Sequence, residues 1–177
     1  MSESLAGIMA EFKGHEELLR AAEEAYAAGY RRMDAYSPFP VQGLAKALGR
    51  EGSVIPMVVL VGGITGGVGG FFMEWFAATV SYPIDVGGRP LNSWVAFIPI
   101  SFELTILCAA LSAVISMLAF NRLPQPHHPV FNVPEFARAS SDRFFLCIES
   151  TDPRFDRRET GNFLQSLHPT LIAEVAP

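Results

Sequence analysis

Two long apolar runs in the middle of the chain restrict the fold more than any other feature of the sequence. The first is Val54–Val80 and the second is Trp94–Phe120. Each is longer than the roughly 20 residues that a helix needs to cross about 30 Å of hydrocarbon. Each holds a single formal charge, Glu74 in the first run and Glu103 in the second. The runs predict a transmembrane helical hairpin, and a buried hairpin inside a soluble domain is the alternative.

Charged residues lie almost entirely before Gly52 and after Asn121, and the net charge of the chain is -5. Because no long basic run is present, nucleic acid is not an expected partner. Residues 1–14 contain acidic side chains and lack the apolar stretch of a secretory signal. We therefore expect the chain to start inside the cell, with the first apolar run as its membrane signal.

The polar parts of the chain repeat one pattern on either side of the hairpin. They predict the strand Leu5–Phe12, the helix Gly14–Gly29 and the strand Arg32–Tyr36, followed after the hairpin by the strand Arg143–Glu149, the helix Phe155–Leu167 and the strand Thr170–Val175. Neither half is large enough to bury its own core. Together they predict an α+β fold: a ferredoxin-like βαβ-βαβ domain, with four antiparallel strands under two helices.

The predicted domains follow from this pattern. Residues 1–52 form the first half of a cytoplasmic domain, residues 53–120 the hairpin with an outer loop at 81–93, and residues 121–177 a linker and the second half. An insertion of this kind needs its two ends close together, as the ends of a hairpin are.

The charges around the hairpin predict its orientation. Lys46, Arg50 and Arg122 flank the hairpin, whereas the loop holds only Arg89 beside Asp85. The positive-inside bias therefore predicts cytoplasmic termini and an outer loop on the far side of the membrane.

Glu74 and Glu103 are the candidate functional residues of the predicted spans. In an antiparallel hairpin both are expected at similar depth, nearer the outer face. A carboxyl group at membrane depth is costly, so each should face protein or water and not lipid. One hypothesis is a proton relay through both residues. The alternative is that each carboxyl group is hydrogen-bonded to a neighbouring subunit or to the headgroup region.

Small residues at four-residue spacing predict a close contact between helices. Gly62, Gly63, Gly66, Gly67 and Gly70 have this spacing in the first run, and Ala109 with Ala113 and Ser112 with Ser116 offer small faces in the second. Such spacings let helix backbones approach closely. The glycine run lacks the G-K-[ST] ending of a phosphate loop. We expect tight packing, either within the hairpin or against a partner helix.

The remaining residues whose side chains could bind a metal or a cofactor do not form a recognisable site. Cys108 lies in a predicted span and Cys147 in a predicted strand, so a disulfide between them is implausible. No C-x-x-C motif is present, so no iron–sulfur cluster or c-type haem is expected in this chain. His127 and His128 lack further ligands at useful spacing. We predict no catalytic, cofactor-binding or metal-binding residues.

Several segments of the sequence resemble one known family. They are the loop and second span G-G-R-P-L-N-S-W-V-A-F-I-P at 87–99 with F-E-L-T at 102–105, D-A-Y-S-P-F-P-V at 34–41, H-P-V-F-N at 128–132, R-F-F-L at 143–146 and D-P-R-F at 152–155. Together they resemble the ActD family, a component of bacterial alternative complex III, from about Ile8 to the C-terminus. The loop motif is quite specific.

The resemblance implies a membrane subunit of a quinol-oxidising respiratory or photosynthetic complex in the bacterial inner membrane. In such a complex the haems and iron–sulfur clusters belong to other subunits, and electrons pass to a periplasmic acceptor such as a cytochrome c or a copper protein. The ActD resemblance implies an accessory two-span protein with its soluble domain in the cytoplasm. The expected partners are the membrane helices of the other subunits and the lipid bilayer.

Three functions therefore remain open at this stage. The first is a non-catalytic structural subunit of the quinol-oxidising complex. The second is a contribution to a proton path through Glu74 and Glu103. The third is a membrane-tethered domain that senses a small ligand, which would need a polar constellation on the sheet or its loops.

Overall fold

A computed structural model describes residues 5–50, 52–85 and 87–177. The predicted first half of the domain also includes residues 1–4 and Glu51, and the predicted outer loop includes Val86; these lie outside the described residues. In chain order the elements are β1 (Gly7–Phe12), α1 (His15–Ala27), β2 (Met33–Tyr36), α2 (Leu44–Ala47), α3 (Ile55–Phe76), α4 (Trp94–Phe120), β3 (Phe144–Glu149), α5 (Arg157–Ser166) and β4 (Leu171–Val175). The chain forms two compact units, Met1–Glu51 with Pro126–Pro177, and Gly52–Gln125.

The first unit is built on a four-stranded sheet with the order β2-β3-β1-β4. All three pairs of neighbouring strands are antiparallel. The two central strands, β1 and β3, precede and follow the hairpin in the sequence. Since a central strand is covered on both faces, it reads as a continuous apolar run, which β3 shows in the sequence F-F-L-C-I-E. A mixed helix and sheet fold with one antiparallel sheet is thus confirmed.

Alternate residues of the central strands enter two separate hydrophobic clusters, because successive side chains point to opposite faces of a sheet. On one face, Ile8, Phe12 and Leu146 pack with Leu18 of α1 and Leu164 of α5. Leu18 and Leu164 lie on the apolar stripes of amphipathic helices, and both are fully buried. Helices α1 and α5 therefore cover this face of the sheet, as the sequence pattern predicts.

The second face of the sheet is covered by the residues that follow the hairpin, of which the sequence pattern predicts the part up to Pro134 as a linker and the part from Glu135 to Ser141 as a turn or short helix. Two 3₁₀-helical stretches, Pro129–Asn132 and Pro134–Ser140, follow the hairpin. Val130, Val133 and Phe136 from these stretches pack against the second face, around Met9, Phe145 and Cys147 of the central strands. The proline-rich segment is therefore part of the core and not only a connection.

A buried aspartate joins two turns of the first unit that are far apart in sequence. The carboxylate of Asp152 accepts hydrogen bonds from the backbone N–H groups of Arg31 at 2.7 Å, Arg32 at 2.6 Å and Arg154 at 2.8 Å. It thereby holds the turn between α1 and β2 against the turn between β3 and α5. Gly29, predicted as the end of the first helix, has φ of 103° in that same turn region, a conformation that favours glycine.

The second unit is a helical hairpin at the two predicted apolar runs. Helix α3 continues as a π-helical turn at Ala77–Ser81, and α4 contains Pro99. The two helical segments, Ile55–Ser81 and Trp94–Phe120, are long and apolar enough to cross a membrane, on length and composition. Only 17% and 6% of their most apolar windows are buried. A hairpin buried in a soluble domain would have these side chains covered, so their exposure favours lipid or partner helices as the surroundings.

Candidate functional site

The contact between α3 and α4 is lined by glycines that leave no room for a side chain. A methyl group added at Gly66 would lie 2.7 Å from Cβ of Cys108 and closer still to the backbone oxygen of Leu104. A methyl group added at Gly70 would lie 2.8 Å from Cδ1 of Leu104 and 3.4 Å from Cα of Ser101. Because these distances fall below or at the edge of van der Waals contact, the two backbones can approach this closely only where glycine is present.

The other predicted packing residues occupy the same contact to different degrees. A methyl group at Gly62 would overlap the side chain of Ser112, and one at Gly67 would lie 2.5 Å from Oγ1 of Thr105. Gly63 faces Ala109 with space for ordinary contact at 3.5 Å. Ala113 is partly buried. The structure thus places the glycines and Ala109 along the seam between the helices, and the importance of all these residues for assembly stays a prediction.

Glu74 and Glu103 are not brought together by the hairpin. Gly66 and Gly70 face Leu104 and Ser101, so Glu103 is level with the Gly66–Gly70 turn. Glu74 lies four residues beyond Gly70, which places it about 6 Å nearer the loop. Along the hairpin the two residues are therefore offset by about one helical turn, because the register of the seam sets their relative position, and their depth in a membrane stays a prediction.

The two carboxyl groups also differ in their surroundings. Glu74 is partly buried, and its Oε2 atom is buried without a hydrogen-bond partner among the described residues. Oγ of Ser101 is also buried without a hydrogen-bond partner among the described residues. Buried polar atoms in proteins are nearly always hydrogen-bonded, so these two unpartnered atoms single out this part of the hairpin as a candidate polar site. Sequence reasoning selected Glu74 but missed Ser101, whose signal is its four-residue spacing from Thr105 on the face toward α3.

The backbone beside Glu74 is irregular as well. The π-helical turn Ala77–Ser81 begins three residues after it. Such turns are rare and are frequent at functional sites. An open apolar groove of about 500 Å³ lies on the same part of the hairpin, lined by Gly67, Val68, Phe71, Phe72, Trp75 and Ser101. This end of the hairpin therefore combines an unsatisfied carboxyl group, an irregular helix and an exposed aromatic surface.

The first unit contains a polar concavity that the sequence pattern does not predict. It lies between α5 and the edge strand β4, has a volume of about 910 Å³ and includes Arg158, Asn162, Gln165, His168 and Thr170 in its lining. The residues come from α5, the turn that follows it and the start of β4, and their polar character resembles that of an ordinary solvated helix face in the sequence. This is the kind of polar surface that the ligand-sensing alternative requires.

The surroundings of Cys147 and His128 are structural. Cys108 and Cys147 are both free, and burial raises the pKa of the Cys147 thiol to about 12, which keeps it protonated and unreactive. Nδ1 of His128 accepts a 3.4 Å hydrogen bond from the backbone N–H of Val130 and so caps the first 3₁₀ stretch. Within residues 5–50, 52–85 and 87–177, no group of three or more His, Cys, Asp or Glu side chains is placed to hold a metal ion.

A small α+β unit joined to an exposed apolar hairpin defines the class of a membrane-associated subunit. The family model described as "Alternative complex III, ActD subunit" matches residues 6–174 of this chain, which therefore belongs to that family. A search of curated proteins gave no match. This match confirms the resemblance found in the sequence. The chain is therefore a subunit of the alternative complex III oxidoreductase. Together with the two apolar helices it indicates a membrane location, with other subunits of the complex as the expected partners.

Proposed function

We propose that this chain is a non-catalytic integral membrane subunit that supports assembly and packing of the membrane arm of alternative complex III. The complex would oxidise quinol and pass electrons to a periplasmic acceptor. The observation that supports this role most is the hairpin itself: a close glycine seam joins α3 to α4, and the apolar outer faces remain uncovered. Helices with uncovered apolar faces and a rigid seam are suited to packing among other membrane helices.

We also propose that the first unit is a single ferredoxin-like domain into which the hairpin is inserted, so that residues 1–52 and 121–177 are its two halves. The sheet order β2-β3-β1-β4 supports this, because each half contributes one central and one edge strand. Neither half has a complete sheet without the other. This proposal also assigns the haems and iron–sulfur clusters of the complex to partner subunits. That assignment rests on membership of the family.

Affinity purification of the tagged chain from its native membrane tests the structural role. We expect the other membrane subunits and the haem absorbance of the complex to co-purify with the tagged chain. Deletion of the chain should then lower the amount of assembled complex without removing any redox centre from the subunits that remain. A tagged chain recovered as a free monomer would contradict the proposal and would favour the ligand-sensing alternative. The untagged strain, purified in parallel, is the control.

The proposed orientation places both termini in the cytoplasm and the 81–93 loop in the periplasm. Lys46, Arg50 and Arg122 near the ends of the hairpin support it through the positive-inside bias. Alkaline phosphatase inserted in the loop is expected to be active, and green fluorescent protein at the C-terminus is expected to fluoresce. The reciprocal fusions serve as controls, and the reverse pattern of signals would show the opposite orientation.

A contribution of Glu74 and Glu103 to a proton path is the second candidate. The buried, unpartnered Oε2 of Glu74 favours it, although the path would need groups from partner subunits because Glu103 lies on another side of the hairpin. Under the structural role, Glu74→Gln and Glu103→Gln leave the number of protons moved per electron unchanged in the assembled complex. Under the proton-path role, at least one of them lowers that ratio while assembly stays normal. Proton uptake measured in proteoliposomes distinguishes the two.

A further inference from the structure

The face of α4 that carries Glu103 points away from α3. Residues Ser101, Leu104 and Thr105 face the glycine seam. Glu103 lies two positions from Ser101 and two from Thr105, and at about 100° per residue this places it on the opposite side of the helix. Its side chain is exposed, and no hydrogen bond or ion pair is found for it in the described part of the chain. The carboxyl group therefore lies on the outer surface of the hairpin.

The surroundings of Glu103 on this outer face are apolar. Phe102, Ile106 and Leu107 are 62%, 51% and 53% exposed. Glu103 is nine residues into the 27-residue helix α4, about 14 Å along the axis from Trp94. A glutamate side chain is too short to reach the headgroups from that depth, and intramembrane carboxyl groups rarely face lipid. The outer face of α4 is thus unsuited to contact with lipid alone.

We propose that the Glu103 face of α4 docks against a transmembrane helix of another subunit of the complex, which presents a hydrogen-bond-donating side chain to the Glu103 carboxyl group. This inference rests on the proposed function and adds the face of contact and the chemistry of the partner. A second copy of this chain fits poorly, since a symmetric contact would bring Glu103 against Glu103. Glu74 is not part of this surface, because it lies on α3 and its Oε2 is buried.

The test uses the tagged chain in the complete complex with three variants. Glu103→Leu removes the hydrogen-bonding group, Glu103→Gln keeps one, and Leu107→Ile changes an apolar neighbour on the same face. We expect Glu103→Leu to lower recovery of the contacting subunit about fivefold, while the other two stay near the wild-type recovery. Membrane levels of the tagged chain are measured in each strain, so that loss of the chain is not mistaken for loss of contact.

A photo-reactive amino acid at position 107 identifies directly which molecule contacts the Glu103 face of α4. We expect it to cross-link to a membrane helix of another subunit. Labelling of lipid alone, or of a second copy of this chain, would overturn the proposal, as would wild-type recovery with Glu103→Leu. A wild-type chain that recovers no other subunit would instead refute the proposed function, so the two failures are distinguishable.

Discussion

Replacing Gly66 by alanine is expected to destabilise the helical hairpin by about 1–3 kcal/mol, the usual cost of overpacking a close contact. The new methyl group would lie 2.7 Å from Cβ of Cys108 and nearer still to the Leu104 carbonyl oxygen. A backbone oxygen cannot rotate away as a flexible side chain does. The helices must therefore separate along the whole seam, which weakens the packing at Gly62 and Gly70 as well.

Gly69 provides a matched control in the same helix. A methyl group added there meets nothing within 4 Å. Since alanine is the better helix former, Gly69→Ala should leave the stability unchanged or raise it. Thermal unfolding of the purified chain in detergent, followed by tryptophan fluorescence, measures both variants, because Trp75 and Trp94 both lie in the hairpin unit. Equal melting temperatures for Gly66→Ala and Gly69→Ala would contradict the role of the seam.

The elements of both units could be predicted because their sequence patterns are periodic or continuous. The central strand Phe144–Glu149 is a short apolar run, and α1 and α5 have apolar stripes at helical spacing. The two apolar runs exceed the length of any ordinary core helix. Each of these signals lies within one segment, so no knowledge of distant contacts was needed.

The parts that could not be predicted depend on distant contacts or on rotation of a helix about its axis. The 3₁₀ stretch Pro134–Ser140 has no periodic pattern, so the burial of Phe136 against the sheet was not visible. The opposite directions of Glu74 and Glu103 follow from which sides of α3 and α4 meet at the seam. Glycine spacing predicted that a seam exists, but not which polar residues lie inside it and which lie outside.

Asp152 illustrates the same limit and gives the second large expected effect. No local pattern reveals its role, because its hydrogen-bond donors Arg31 and Arg32 precede it by about 120 residues. Hydrogen bonds to a charged group contribute about 1.5–3 kcal/mol each, and removal of the carboxylate leaves the backbone N–H groups without this acceptor. Asp152→Ala is therefore expected to lower the free energy of unfolding of the first unit by about 3 kcal/mol.

Amide hydrogen exchange on β2 and β3 measures this loss, with exchange expected to become roughly 100-fold faster. Asp156→Ala is the comparison, because Asp156 also accepts backbone hydrogen bonds, from Arg158 and Glu159, but as an exposed cap of α5 alone. Loss of that cap should cost less, because Asp156 is exposed and only one helix end loses its acceptor. A smaller effect for Asp152→Ala than for Asp156→Ala would contradict the account of Asp152 as the link between two turns.

The contribution of Asp152 should also depend on pH. Burial alone would raise the pKa of its carboxyl group, but the hydrogen bonds from Arg32, Arg31 and Arg154 outweigh burial and lower the pKa below its usual 3.8. A folded-state pKa below the unfolded one stabilises the protein fully above the unfolded value, and the stabilisation is lost as the pH falls through the folded value.

The difference in unfolding free energy between the wild-type protein and Asp152→Asn should therefore be largest near neutral pH and shrink as the pH falls below about 4. Other carboxyl groups with lowered pKa values, such as Asp142, Asp156 and Glu174, are present in both proteins, so their contributions cancel in the difference. Urea denaturation followed by far-ultraviolet circular dichroism gives the two free energies at each pH. A difference that stays constant from neutral pH to pH values below the folded pKa would show that the charge of Asp152 does not stabilise the fold, and that only the shape of its side chain matters.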